Sequence, residues 1–171
     1  TCDLHTVHPY NIFQSASDPL VSQRPILDLS YRCKVAEDLA KTPTFVQEFG
    51  SIGYMNCSLE SEAAFYRCCM NALLAHGHHG AMWWCAFDQD KFDFPPYDGA
   101  AIETTLGLAY SDGRPKKILK KMQDMSGKIS ELGKLPSCKK DAVVILTDPD
   151  NSWKHAYGAF CLAAEAGVTL E

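Results

Sequence analysis

The stretch Gly80-Ala81-Met82-Trp83-Trp84-Cys85-Ala86-Phe87 is apolar almost without interruption and is closed by Asp88. Such a run does not suit a sheet with one wet face, where alternate side chains would sit in water; it suits a strand covered on both faces, as in a parallel sheet flanked by helices. Parallel neighbours need long crossover connections, and the rest of the chain supplies them. Cys2-Asp3-Leu4-His5-Thr6-Val7 reads as a first strand that ends at His8-Pro9-Tyr10, where the proline stops it. After a loop to about Pro25, Leu27, Tyr31, Val35 and Leu39 recur at helical spacing, with Lys34, Glu37 and Asp38 on the other side. Thr44, Phe45 and Val46 form a second short buried strand, opened after Pro43 and ended by Gln47-Glu48-Phe49 and a turn at Gly50. Gly53 and Asn56 mark a loop, and Ser58 is the expected N-cap of a helix with Glu60 and Glu62 in its first turn. Phe65, Cys69, Leu73 and Leu74 line that helix, which ends at Gly77. After the third strand comes a long loop from Asp88 to about Gly113, then a basic helix opened by Pro115 with Ile118, Leu119, Met122 and Met125 on one face, reaching about Leu132.

The composition changes past Gly133. Residues 133–140 read as a linker, Asp141 to Leu146 as another buried strand, and Trp153, Tyr157, Phe160, Cys161, Ala164 and Ala166 as a helix ending at Gly167. Val168-Thr169-Leu170-Glu171 then begins what should be a further strand. One strand and one helix cannot cover each other's apolar faces, so residues 141–171 read as the start of a second α/β unit.

With 171 residues, 46% hydrophobic and 22% charged, the chain has the content of a folded globular protein and not of a disordered one. Its apolar runs are too short to span a bilayer, so no membrane partner is expected. The net charge of −5 without a basic stripe argues against nucleic acid and suits a neutral ligand such as a sugar. The chain starts at Thr1, so the lack of a signal segment carries little information. Cys2, Cys33, Cys57, Cys68, Cys69, Cys85, Cys138 and Cys161 show no Cys-x-x-Cys pair, so they read as reduced thiols, which leans towards a reducing compartment, and no metal ligand set is expected. No strand is followed by a phosphate-binding glycine loop, so no nucleotide cofactor is expected.

The chemistry-bearing residues stand where strands stop. In a parallel barrel the carboxyl ends of the strands floor the active site, and Glu48 stands at such an end; an ordinary strand-end acid bonded to backbone or to an arginine is the plain alternative. His8-Pro9-Tyr10 after one strand, Gln47-Glu48-Phe49-Gly50 after the next, and Trp84 with Phe87-Asp88 on the third resemble the last three units of clan A glycoside hydrolases, with family 5, the cellulases and mannanases, the best match. Leu106-Gly107-Leu108 and Ser111-Asp112-Gly113-Arg114-Pro115-Lys116 resemble that family's entry into its last barrel helix. The resemblance covers residues 1–132 and implies strands 6 to 8 of a TIM (β/α)8 barrel. It also implies roles: Glu48 as the nucleophile that forms a glycosyl-enzyme intermediate with retention of configuration, Tyr10 as the hydroxyl bonded to it, His8 lining the same subsite, and Trp84 under the sugar ring. Strand alternation sends Trp83 away from Trp84 and into the core. Asp88 is a candidate sugar ligand, although Asp88, Asp90, Asp93 and Asp98 are as readily explained as solvated loop acids. Residues 141–171 resemble the start of the flavodoxin-like domain that follows the barrel in some clan A enzymes.

The departures from the pattern are large. Retaining hydrolysis needs a second carboxyl group about 5 Å from the first. The family carries it in an Asn-Glu pair at the end of strand 4, and this sequence has no Asn-Glu. Three units cannot close a barrel of roughly 250 residues. The chain is therefore expected to be a fragment carrying the nucleophile half of a site for β-linked carbohydrate. It is expected to be inactive alone, and to pair with the N-terminal barrel half or to form an oligomer that covers Phe65, Cys69 and Leu73. A noncatalytic carbohydrate-binding remnant and a small doubly wound α/β binding module remain as alternatives.

Overall fold

The computed structural model describes residues 3–10, 24–50, 57–78, 80–99, 103–135 and 137–170. Cys2, the turn residues Gly53 and Asn56, Pro136 and Glu171, all assigned above from sequence, lie outside them, as does most of the loop leading to Pro25. Three strands, β1 (His5–Val7), β2 (Thr44–Phe49) and β3 (Ala81–Trp83), form one parallel sheet in the order β1-β2-β3. Each is followed by a helix: α1 (Arg24–Ala40), α2 (Leu59–Ala75) and α3 (Lys117–Leu132). A fourth helix, α4 (Ser152–Glu165), packs on α1. This is the expected succession of three strand-to-helix units in parallel register, as in part of a TIM barrel.

The local reasons are visible in the sequence. Ser58 caps α2, its hydroxyl accepting from the Ser61 N–H, with Glu60 and Glu62 in the first turn where the helix dipole favours acids. α3 follows Pro115 and ends at Gly133, whose φ of 65° lies in the left-handed region that glycine enters without a Cβ penalty. The core lies between the sheet and the helices, with Leu29, Cys33, Val46, Phe49, Tyr66, Cys69, Leu73, Trp83 and Ile118 at its centre. Phe49, Tyr66 and Trp83 form an aromatic group, Trp83 meeting Phe49 edge-on at 5.2 Å between centroids and Tyr66 at 6.0 Å. Burying each such ring stabilises by about 1.5–3 kcal/mol.

β2 carries an irregularity that sets up the site. Val46 pairs with Ala81 and Phe49 with Trp83, so an extra residue is accommodated in β2 between the two pairs. Thr44 and Val46 are buried. Strict alternation from them would turn Glu48 into the core beneath the helices and Phe49 away from it. With the bulge, Phe49 is fully buried and Glu48 stays on the open side, its side chain 28% exposed.

Three expectations from sequence are corrected. The buried part of α1 is not confined to the Leu27–Leu39 stripe: Tyr31 of that stripe is buried, but so are Asp28, Leu29, Ser30, Cys33 and Lys34, while Leu39 is 82% exposed. Helix α1 is covered from two sides: Trp153, Tyr157 and Phe160 of α4 surround the Tyr31 ring, while Leu29 and Cys33 join the core between the sheet and the helices. Lys34 makes an ion pair with Asp38 one turn on. Second, residues 141–146 do not form a strand. Only Ala142 is bridged, in parallel, to Leu170, and Ile145 is 81% exposed. That bridge with α4 between its partners is the outline of a single crossover unit, too little sheet to bury Val143 and Ile145. Third, Cys69 and Leu73 are fully buried within this one chain, where α2 packs against α1 and α3, so they are not a surface awaiting a partner; Phe65 is half-buried. None of the seven described cysteines is joined in a disulfide.

Candidate active site

The carboxyl ends of the three strands bring together His8 and Tyr10 after β1, Glu48 near the end of β2 and Trp84 just past β3. The Tyr10 hydroxyl donates to Glu48 Oε1 at 2.6 Å, short for a hydrogen bond, as expected when the acceptor is charged. Burial raises the pKa of the Tyr10 phenol far above its ordinary value, and the bond to Glu48 raises it further. The phenol therefore stays protonated and acts on Glu48 only as a donor. His8 Nε2 donates to Gln47 Oε1 at 3.0 Å, which places the neutral ring's acceptor nitrogen on Nδ1. Nδ1 lies 3.8 Å from Glu48 Oε2, an ion pair whenever the ring is protonated. Glu48 is thus held by one firm donor, Tyr10, with His8 as a cation beside it when protonated and its side chain still partly open to solvent.

Trp83 and Trp84 part company as alternation requires. Trp83 is buried in the core and its indole N–H donates to the Leu106 carbonyl at 3.0 Å. Trp84 is half-buried, and its backbone N–H closes the sheet on the Phe49 carbonyl at 2.8 Å. Its indole N–H donates to Glu103 Oε2 at 3.0 Å. Glu103 stands in a 3-10 turn, Glu103–Thr105, and its charge is felt at the Tyr10 phenol. Sequence reading missed this acid, because nothing in its spacing from Trp84 announces the contact.

Asp88 is placed differently from the other predicted residues. It is buried, with Oδ1 accepting from Lys116 Nζ at 2.5 Å and from the Gly107 N–H at 2.8 Å. Lys116 Nζ also donates to the Thr105 carbonyl at 2.9 Å and lies 5.4 Å from the centre of the Tyr110 ring. Its position is therefore that of a strut inside the loop between β3 and α3, away from the open group of Tyr10, Glu48, Trp84 and Glu103. Gly107 makes this close packing possible, since a Cβ there would stand 2.2 Å from the Asp88 nitrogen. Loop and sheet are stitched by backbone bonds between Cys85 and Leu106 (3.2 Å) and between Leu108 and Cys85 (2.8 Å). Among the described residues no group of three or more His, Cys, Asp or Glu could hold a metal ion.

Comparison of this structure with solved ones gives a consistent answer. A GH5_18 protein from Bifidobacterium longum subsp. longum, solved in complex with Manβ1-4GlcNAc, superposes with a TM-score of 0.76 at 21% identity, over 98% of this chain and 42% of that one. The chain thus shares its fold with part of that GH5_18 structure. The exo-β-1,4-mannosidase Op5Man5 from Opitutaceae bacterium strain TAV5 gives a TM-score of 0.78 at 22% identity, over 98% of this chain and 32% of that one. A β-glucuronidase of Bifidobacterium dentium, solved with coumarin-3-O-glucuronide, gives 0.56 at 17% identity over 74% of this chain and 21% of that one. The chain thus spans less than half the length of these structures. No family model and no curated protein matches the sequence. At these identities the likeness is one of fold, and it agrees with the resemblance carried by the strand-end motifs.

Proposed function

We propose that this chain is the nucleophile-bearing part of a retaining β-glycoside hydrolase, made of strands 6 to 8 of its barrel, and that its substrates are β-linked neutral sugars with β-mannosides first among them. The observation that carries this is the 2.6 Å bond from Tyr10 to an accessible Glu48 at the carboxyl ends of adjacent parallel strands, with Trp84 following the next strand. The sugars named with the solved structures, Manβ1-4GlcNAc and β-1,4-mannosides, support the choice of substrate.

In this reading a Glu48 oxygen attacks the anomeric carbon while the bond from that carbon to the leaving oxygen breaks. The leaving oxygen takes its proton from a second carboxyl group, about 5 Å away in retaining enzymes, which the rest of the barrel supplies. Water then displaces Glu48 from the sugar, giving its proton to that same second group. Tyr10 steadies Glu48 as an anion before attack and as the leaving carboxylate afterwards, and Trp84 offers the apolar face of the pyranose a flat surface.

The test is covalent trapping in the full-length protein. A 2-deoxy-2-fluoro β-mannosyl fluoride should add one sugar mass to the peptide containing Glu48, and Glu48→Gln should abolish both the adduct and turnover while leaving sugar binding nearly intact. An adduct on another carboxylate, or undiminished turnover by Glu48→Gln, refutes the assignment.

A further inference from the structure

Glu103 has one oxygen committed and one free. Oε2 accepts the Trp84 indole N–H at 3.0 Å, whereas among the described residues Oε1 has no hydrogen-bond partner and Glu103 enters no ion pair. The side chain is half-buried, and its position at the nitrogen edge of the indole is where the rim of a sugar lying on that ring would come. An unpaired carboxylate there can accept two sugar hydroxyls, each bond being of the stronger, charge-assisted kind. Glu103 and Glu48 are both within electrostatic reach of Tyr10. Among the described residues the ion-paired lysines and arginines are directed elsewhere, Lys116 to Asp88 and Arg114 to Asp112, and the only cation of the group is His8 when protonated.

We infer that Glu103 is a specificity-determining residue: it fixes the Trp84 indole with one oxygen, takes hydroxyls of a neutral sugar with the other, and rejects sugars that carry a carboxylate. The inference rests on the reading of Glu48 and Trp84 as a sugar site given above. A uronic acid would bring a third carboxylate against two, and like charges so placed are strongly disfavoured when water is excluded. A hydroxymethyl or hydroxyl group at the same rim position meets an acceptor instead.

The experiment compares wild type with Glu103→Gln in the full-length protein. The amide oxygen of glutamine can still accept the Trp84 N–H, so the indole is held while the charge is removed; equal thermal unfolding of the two proteins checks this. The quantity read is the ratio of kcat/KM for 4-nitrophenyl β-mannoside to that for 4-nitrophenyl β-glucuronide. It should strongly favour the mannoside in wild type and fall by at least about tenfold in Glu103→Gln, a modest share of the several kcal/mol such juxtapositions cost. A ratio unchanged within about twofold, or a wild type that accepts the glucuronide as readily as the mannoside, overturns the inference. Tryptophan fluorescence titration with mannose and with glucuronate reads the same preference without turnover. Binding that prefers mannose in wild type and loses the preference in Glu103→Gln upholds the inference even if no glycoside is hydrolysed, a result that would sink only the hydrolase reading. Binding without preference overturns it whatever the turnover.

Discussion

Replacing Lys116 by methionine tests whether the loop that carries Glu103 is held by one buried charge pair. The Lys116 side chain is 0% exposed and that of Asp88 3%, so neither charge can turn to water. Nζ donates to Asp88 at 2.5 Å and to the Thr105 carbonyl at 2.9 Å. Methionine fills most of the lysine's volume but leaves the Asp88 carboxylate buried with the Gly107 N–H as its remaining recorded donor. Removing one partner of a buried pair costs about 3–5 kcal/mol, chiefly through the charge left behind. Against a total stability of about 5–15 kcal/mol, that brings the fold close to its limit. Converting the orphan as well, in Lys116→Met/Asp88→Asn, removes the buried charge while keeping an acceptor for Gly107. It should therefore recover about half of the loss or more, a non-additivity of about 2 kcal/mol between groups in contact. Urea unfolding followed by circular dichroism gives the three free energies. A single-variant loss below about 1 kcal/mol, or a double variant as unstable as the sum of the two singles, would refute the account of the pair as a mutually dependent strut.

Two further outcomes follow from the same geometry. Tyr10→Phe removes a hydrogen bond to a charged group, worth about 1.5–3 kcal/mol, so kcat/KM of the full-length protein should fall by about tenfold to a hundredfold with thermal stability little changed; an unaltered rate constant would detach Tyr10 from the chemistry. Alkaline pH should weaken the fold through its thiols. Burial pushes the Cys33 thiol up to about 12, with Glu37 adding to the shift, and raises Cys69 in the same direction. A thiol whose pKa is higher folded than unfolded keeps its full contribution below the unfolded value near 8.5 and loses it as pH climbs towards the folded one. Each such thiol should then cost about 1.4 kcal/mol per pH unit above about pH 9. Urea midpoints at pH 8 and 10 should diverge less in Cys33→Ala than in wild type, and equal divergence would remove Cys33 from the explanation.

The strand-to-helix succession was legible because each element carries a local signal: the proline before Thr44, the serine cap at residue 58 and the methionine-lined face of α3 need no tertiary context. The separation of Trp83 from Trp84 was legible for the same reason, since a period of two is a property of the strand alone. What could not be read depends on partners distant in sequence. The cover over Tyr31 is supplied by aromatic residues of α4 over a hundred positions away. The bulge that keeps Glu48 out of the core depends on the pairing of β2 with β3, and alternation alone would have sent the acid the wrong way.

Asp88 and Glu103 show the limit most clearly. On paper both are acids in the loop after a tryptophan strand, and proximity to Trp84 favours Asp88. The structure gives Asp88 the buried Lys116 ammonium and gives Glu103 an indole N–H, its other oxygen having no hydrogen-bond partner among the described residues. The difference arises because Lys116, at the mouth of α3, reaches back across the loop to both Asp88 and the carbonyl of Thr105, two residues past Glu103. One lysine thus neutralises the first acid and, by anchoring that turn, presents the second one to the site with its charge unspent. A candidate sugar ligand cannot be ranked from its own position in a loop; the ranking follows from where the nearest buried cation is already engaged, and that is settled only by the fold.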